Sequence, residues 1–504
     1  MRANPLQRML VSSRWKTIGV IVLALGLAAA AILLTLNWPF REAAIKGALE
    51  EVSGGQVRIG HFQKTFFPHP GCVATDVVMA RADASKPPLI TLQTLTINGS
   101  YGALLVLSKR LSEVDTEGMH LRIQRGKGST GTGNSVGNTS IGKFVARNMT
   151  LEFLPEEAGD KSYILPVHAL TLSPASETSA MNFETSLRIP RPDGEVTAKG
   201  SFGPWKTGDA FHTPVSGNYH FDHADLGTFH GLGGILESDG KFDGTIASIA
   251  VQGSTGVADF EIKGTGHKVR LISDFQANVD GSNGNVRLDG VKSGLLRTEI
   301  DSAGTVASSM PAADKLVSLN MTVTGGRIQD LMRLVSSGQP GLNGIVNLRF
   351  QVALPAGDQP FLQRLRINGD MGVGDARFTS PATQQGLERI SANATPEVVD
   401  PADVVSNLKG HVSTANGVAT LTGLTFNVPG ASANMHGTYQ LITHQLDLHG
   451  SVQLAEKISQ TTTGVKSFLL KALDPIFRKK RQPVISVVPI KITGQAGDIS
   501  IGLD

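Results

Sequence analysis

The chain opens on a long apolar run and then changes period. From Ile18 to Leu36 only Thr35 is clearly polar, and nineteen residues of helix are enough to cross the roughly 30 Å hydrocarbon core of a bilayer. After Pro39 the apolar positions Ala44, Ile45, Ala48, Leu49 and Val52 recur at helical spacing, and Gly54-Gly55 marks the stop. Beyond that point the period falls to two. Val57 and Ile59, Leu95 and Ile97, and later Val346, Leu348, Phe350, Val352 and Leu354 alternate with polar partners such as Asn347, Arg349 and Gln351, the pattern of half-buried strands. Further helical spacing is confined to a turn near Ile328 to Val335 and an amphipathic stretch from about Leu454 to Leu473.

Charge orients the first segment. Arg2, Arg8, Arg14 and Lys16 precede it with no acidic residue among the first sixteen, so the excess of positive charge holds the N-terminus on the cytoplasmic side and exports the rest of the chain. Trp15 and Lys16 before Ile18, and Trp38 after Leu36, stand where interfacial anchors belong. A cleaved secretory signal is the alternative, with Ala28 to Ala31 as its small residues, but Ile32, Leu33, Leu34 and Leu36 continue the apolar run beyond a usual signal's length. Both readings place the bulk outside the cytoplasm.

Composition sharpens the picture in two ways. Glycine is abundant (57 of 504 residues) and aromatics are scarce at 5 %, which suits many short strands and turns better than large compact cores. Cys72 is the only cysteine, excluding an internal disulfide, a cysteine zinc site and a CxxC redox pair; its setting after Phe66-Phe67-Pro68-His69-Pro70-Gly71 reads as a small apolar residue entering a strand. A net charge of +3 with cations interspersed among anions lacks the basic stripe of a nucleic-acid binder.

Residues 126–142 are rich in Gly, Ser, Thr and Asn with nothing to bury, a flexible linker by composition. The organisation expected is a cytoplasmic N-terminus (1–16), a transmembrane helix (17–38), an N-terminal unit (39–125), the linker (126–142), a repetitive β body (143–453) and a closing segment (454–504). A repeat supports the repetitive body. Gly284, Leu288, Gly290, Gly304 and Thr305 recur 133 positions later as Gly417, Leu421, Gly423, Gly437 and Thr438, consistent with one β unit laid down repeatedly.

Enzyme motifs fit poorly. Gly133-Asn134-Ser135-Val136-Gly137 spells a nucleophile elbow, but it sits in the linker without the strand and helix that would expose Ser135. Gly126-Lys127-Gly128-Ser129 lacks the earlier glycine of a phosphate loop. His212, His220, Asp222, His223, Asp225 and His230 carry metal-ligating atoms at no recognised spacing, with His220 and Asp222 on one side of a strand and His223 on the other. Glu50-Glu51 and Glu156-Glu157 read as solvated faces. No cofactor or metal is expected.

The apolar strand face remains. A closed sandwich would cover it, whereas a long curled sheet would leave a trough open to acyl chains; the sequence leaves both possible, and an exposed apolar face of that length requires a ligand or partner.

The membrane segment is followed by the helix ending in Gly54-Gly55, Val57-Arg58-Ile59-Gly60, Pro87-Pro88-Leu89-Ile90, Leu95-Thr96-Ile97, the Leu104-Leu105 turn, and Val114 with Gly118-Met119-His120-Leu121-Arg122-Ile123. In the order and spacing of these motifs the chain resembles the AsmA-like family of bacterial envelope proteins. Gly281-Ser282-Asn283-Gly284 and Gly304-Thr305 echo the family's repetitive β region. The end adds Leu454-Ala455, Ser459-Gln460, Gly464-Val465-Lys466-Ser467, Leu473-Asp474-Pro475 and Pro489-Ile490-Lys491-Ile492-Thr493-Gly494, departing from the family in lacking a Pro after the last Gly.

The resemblance implies a single-pass inner-membrane protein with a periplasmic, mainly β body: an elongated, curled antiparallel sheet with a few short helices. It also implies a non-enzymatic role in envelope biogenesis, sheltering or transferring phospholipid or other acyl lipid, with envelope assembly proteins as further partners. Val346, Leu348, Phe350, Val352, Leu354, Leu446, Leu448 and Val452 are the groove candidates. Arg478, Lys479, Lys480 and Arg481, after the apolar Phe468, Leu469, Leu470, Leu473, Ile476 and Phe477, are candidates for anionic headgroup or partner contact, or form a solvated loop beside a cap on the sheet end. The rival functions are a closed scaffold regulating outer-membrane protein assembly and an exported hydrolase using Ser135.

Overall fold

The computed structural model describes residues 38–80, 88–102, 110–124, 140–154, 162–175, 179–190, 192–206, 210–307, 316–336, 338–381, 384–385, 388, 406–428, 431–454, 486–495 and 498–504. The apolar run Ile18 to Leu36 with Trp15 and Lys16, the linker motifs around Ser135, the Leu104-Leu105 turn, Glu156-Glu157, the stretch after Leu454 and the basic residues 478–481 lie outside them. Among the described residues no helix is long and apolar enough to cross a membrane. The chain is mainly β and divides into two compact units, Met1–Met119 with Gly131–Val145, and His120–Thr130 with Ala146–Asp504.

In the first unit, helix α1 (Glu42–Ser53) turns Ile45 and Leu49 inward and ends on Gly54, whose left-handed backbone lets its N–H reach the Glu50 carbonyl. Glu50 is more than the solvated residue expected, because its carboxylate accepts from the Val57 N–H at 3.2 Å and ties the helix to the first strand. Strands β1 (Val57–Arg58) and β2 (His61–Thr65) both pair antiparallel with β3 (Gly71–Met79), followed by β4 (Ile90–Gly99) and β5 (Arg110–Glu117). Cys72, Ala74, Val77, Leu95, Ile97 and Val114 form the buried side.

The second unit begins with β6 (His120–Gln124), which pairs parallel with residues Thr150 to Leu154 of β7 (Ser140–Leu154). The sheet is therefore mixed rather than wholly antiparallel. β7 itself starts inside the segment 126–142 expected to be linker. The Glu152 carboxylate clasps the pair, accepting from Arg122 Nε at 2.9 Å beside His120 Nε2 at 2.8 Å.

An antiparallel meander follows: β8 (Tyr163–Ser173), β9 (Met181–Pro190), β10 (Asp193–Phe202), β11 (Pro214–Asp225), the short β12 (Leu232–Gly233), β13 (Ile235–Thr245), β14 (Ser248–Ile262), β15 (Val269–Asp280) and β16 (Asn285–Leu295). It continues through β17 (Thr298–Ala307), β18 (Leu316–Arg327), helix α2 (Ile328–Val335), β19 (Leu342–Leu354), the single turn α3 (Phe361–Arg364) and β20 (Arg366–Phe378). The last strands are β21 (Ser406–Ala415), β22 (Val418–Val428), β23 (Ala431–Gln440), β24 (Gln445–Leu454), β25 (Ser486–Gln495) and β26 (Asp498–Leu503). Leu454 thus ends a strand where an amphipathic helix was expected to begin. From β13 onward each strand pairs with the next.

The 133-residue repeat is a repeat of ladder positions. Leu288 faces Gly304 across β16 and β17, Leu421 faces Gly437 across β22 and β23, and a register shift comes immediately after in both. Such shifts are bulges that bend and twist a strand, and they recur in another form. Asp76, Asn148, His223, Asp375 and Gly423 all adopt positive φ within strands, and the next residue, respectively Val77, Met149, Ala224, Ala376 and Leu424, is buried. Each bulge resets the alternation so that apolar residues on both sides of it point inward, as with Val373 before Asp375 and Ala376 after it.

Helix α2 is too short to be stable alone and is held by Ile328, Leu331 and Leu334, which pack on the buried cluster Val269, Leu295, Ile300, Val323, Val346, Val373 and Ala376. Its buried Asp330 accepts from the Arg297 N–H at 3.1 Å and the Thr298 hydroxyl at 3.0 Å, fixing the helix to the β16–β17 turn. Asp330→Ala leaves these donors unsatisfied and is expected to lower stability by about 1–3 kcal/mol, measured by urea unfolding; an unchanged midpoint would show the link to be dispensable.

Candidate functional site

The second unit's sheet has two chemically different faces. Along β19, Leu348, Phe350, Val352 and Leu354 are half-buried, while Asn343, Asn347, Arg349 and Gln351 on the other face are exposed. Because antiparallel partners share a face, the ladder register extends this division across the strands.

One row runs Phe275, Val291, Ser302, Met321, Phe350 and Gly369. It continues through Val412, Leu421, Gly437, Leu448, Ile492 and Ile501. A second row is Val251, Ala277, Leu288, Gly304, Leu319, Val352 and Ile367. A third is wholly aliphatic: Ile249, Val279, Val286, Val306, Val317 and Leu354. Every member of that third row keeps partial exposure. The bare backbone at Gly304 and Gly437 is a requirement of close approach, since a Cβ there would lie 2.0 Å from the Ser318 and Asp447 carbonyl oxygens respectively.

The groove candidates divide on this geometry. Val346 is fully buried beneath α2 and is core rather than lining. Leu348, Phe350, Val352 and Leu354 lie on the half-open face, as do Leu446 and Val452, whereas Leu448 is buried beside Met435, Val488 and Ile490. Sequence alternation missed the matching lining on neighbouring strands: Met321, Val291 and Phe275 stand on three separate strands, and only the ladder register aligns them with Phe350. A polar break crosses the same face where Ser273 and Ser293 share a hydroxyl hydrogen bond at 2.8 Å and Ser238 contacts Tyr219 at 3.1 Å.

The histidine–carboxylate group does not assemble. His220 Nδ1 contacts Asp239 at 2.8 Å, His223 contacts its neighbour Asp222, and Asp225 accepts from the Gly227 N–H as a turn cap; among the described residues no group of three or more His, Cys, Asp or Glu is arranged to hold a metal. Farther along, His449 lies between Asp504 at 2.8 Å and Asp447 at 3.1 Å. The hydrogen bond to Asp504 is the main cause of its raised pKa. Protonation therefore adds stabilisation that is present below the ordinary histidine range and fades as pH rises through the raised value; at an exposed pair the effect is small.

Cys72 is 1 % exposed, and burial pushes its thiol up to about 12, so no thiolate is present at neutral pH. The native protein is expected to leave a disulfide reagent unreacted at pH 8 and to react stoichiometrically once unfolded. Immediate reaction of the native form would contradict the buried placement.

No protein-family model matches the chain, and no curated protein or solved structure gives a significant match to it.

Proposed function

We propose that this is a membrane-anchored envelope protein, AsmA-like in kind, whose apolar sheet face shelters the acyl chains of phospholipid or a related lipid outside the inner membrane. The observation that carries the reading is the wholly aliphatic, half-buried row Ile249, Val279, Val286, Val306, Val317 and Leu354, beside two mainly apolar rows. Branched aliphatic side chains in a row offer methyl groups without hydrogen-bond demands, and each CH₂ buried against them contributes about 0.8 kcal/mol. The opposite face carries cross-strand partners of opposite charge, Asp274 with Lys292 and Arg349 with Asp370, and suits water.

In this reading the Ile18 to Leu36 stretch anchors the chain, the body is an elongated, curled sheet in the periplasm, and the role is transfer or protection rather than catalysis. Support comes from the resemblance of the N-terminal and C-terminal motifs and from the face itself. The test is extraction of the full chain in mild detergent followed by mass spectrometry of co-purifying lipids. Acyl lipid at roughly stoichiometric amounts is expected, and lipid-free protein from a lipid-rich membrane would favour the scaffold role in outer-membrane assembly.

A further inference from the structure

The first unit carries an aromatic patch that its own core does not absorb. Phe67 is 86 % exposed, Phe66 46 % and Tyr101 43 %, and all three belong to one short region of the surface. Nothing about the loop is loose: the Tyr101 hydroxyl donates to the Phe66 carbonyl, the Gly99 N–H donates to the Pro70 carbonyl at 2.7 Å, and Pro70 is fully buried. A phenylalanine held out in water by a fastened loop is an unfavourable arrangement unless something apolar receives it.

The neighbour of this loop indicates what that is. The Trp38 ring lies 4.6 Å from that of Phe66 and 5.8 Å from that of Phe40, and Trp38 comes two residues after the apolar stretch Ile18–Leu36. A chain leaving the bilayer after Leu36 would place Trp38 at the headgroup level, where amphipathic rings concentrate, and the Phe66 contact brings the loop to the same depth. From His61 to Gly71 the sequence holds Lys64, His61 and His69 but no acidic residue, so the loop itself brings no carboxylate to an anionic surface.

We propose that the Phe66–Phe67 loop, with Tyr101, inserts into the interfacial layer of the bilayer and sets the first unit against the membrane as a second contact beside the anchor. The proposal rests on the membrane-anchored reading of the chain. Its occupant is a lipid surface rather than a protein partner, because the exposed rings adjoin the residue at which the chain emerges from its own hydrophobic run.

The test is spin labelling of the full chain in nanodiscs of phosphatidylethanolamine and phosphatidylglycerol, with single variants Phe67→Cys, Leu25→Cys and Ile272→Cys. The exposed Ile272 belongs to β15 in the second unit, and the buried Cys72 stays unlabelled. Power saturation with oxygen and a water-soluble nickel chelate reads depth. The expected result is an oxygen-dominated label at position 25, an interfacial depth at position 67 and a water-like label at position 272. A label at 67 as water-accessible as that at 272, with 25 still immersed, would overturn the loop contact and leave the anchor intact. A water-like label at 25 would overturn the membrane reading, and the loop proposal with it.

Discussion

Gly437→Val is expected to destabilise the protein by about 3 kcal/mol, among the largest effects available to a single substitution in this fold. The glycine backbone has φ +154°, and a Cβ would meet the Asp447 carbonyl oxygen at 2.0 Å and Leu448 Cα at 2.8 Å, so the β23–β24 ladder has to part before the side chain fits. Gly304→Val meets the same obstacle at Ser318. By contrast Gly256, also in a strand, has nothing within 4 Å of its Cβ direction, and Gly256→Ala is expected to be neutral or to stabilise by about 0.4–1 kcal/mol. Denaturant unfolding of the three variants checks the contrast. Equal midpoints for the 437 and 256 variants would mean that the ladders do not approach each other so closely.

Met321→Asp combined with Phe350→Asp is expected to lower co-purifying acyl lipid at least about tenfold. The two residues are directly opposed across β18 and β19 on the half-buried face. Two carboxylates there would have to lose water for an acyl chain to lie over them, and about 1.4 kcal/mol already corresponds to a tenfold change. Because both sites retain partial exposure, the fold itself is expected to lose only about 1 kcal/mol per substitution. Asn343→Asp with Gln351→Asp places the same added charge on the exposed face and is expected to leave lipid retention unchanged. Equal losses from both pairs would make the effect one of charge, not of the apolar rows.

Much of this was visible in the amino-acid order, and the parts that were not share a cause. The β19 alternation from Val346 to Leu354, the Gly54 stop and the equivalence of Gly304 with Gly437 are local signals of period two, turn chemistry and repetition. The bulges are less visible because Asp76, Asn148, His223 and Asp375 each reverse the parity of their strand, so a strict alternation read across them fails. Their signal is a polar residue able to adopt positive φ followed at once by a residue that must be buried. Val346 illustrates the other limit: alternation places it correctly on the inner face, but only the tertiary fold shows that α2 covers it and leaves Phe350 half open. The mixed character of the sheet was illegible for a similar reason, since the parallel pairing of β6 with β7 is a matter of tertiary register that neither strand's own alternation carries.

Position-by-position photo-crosslinking to lipid tests the central claim most directly. A benzophenone amino acid placed in the full chain at Phe350 or Val291, on the half-buried face, is expected to yield lipid adducts in membranes, and the same group at Arg349 or Lys292, on the exposed face, is expected to yield none. Adducts distributed equally over both faces, or confined to the charged one, would contradict a sheet that holds acyl chains against its aliphatic rows.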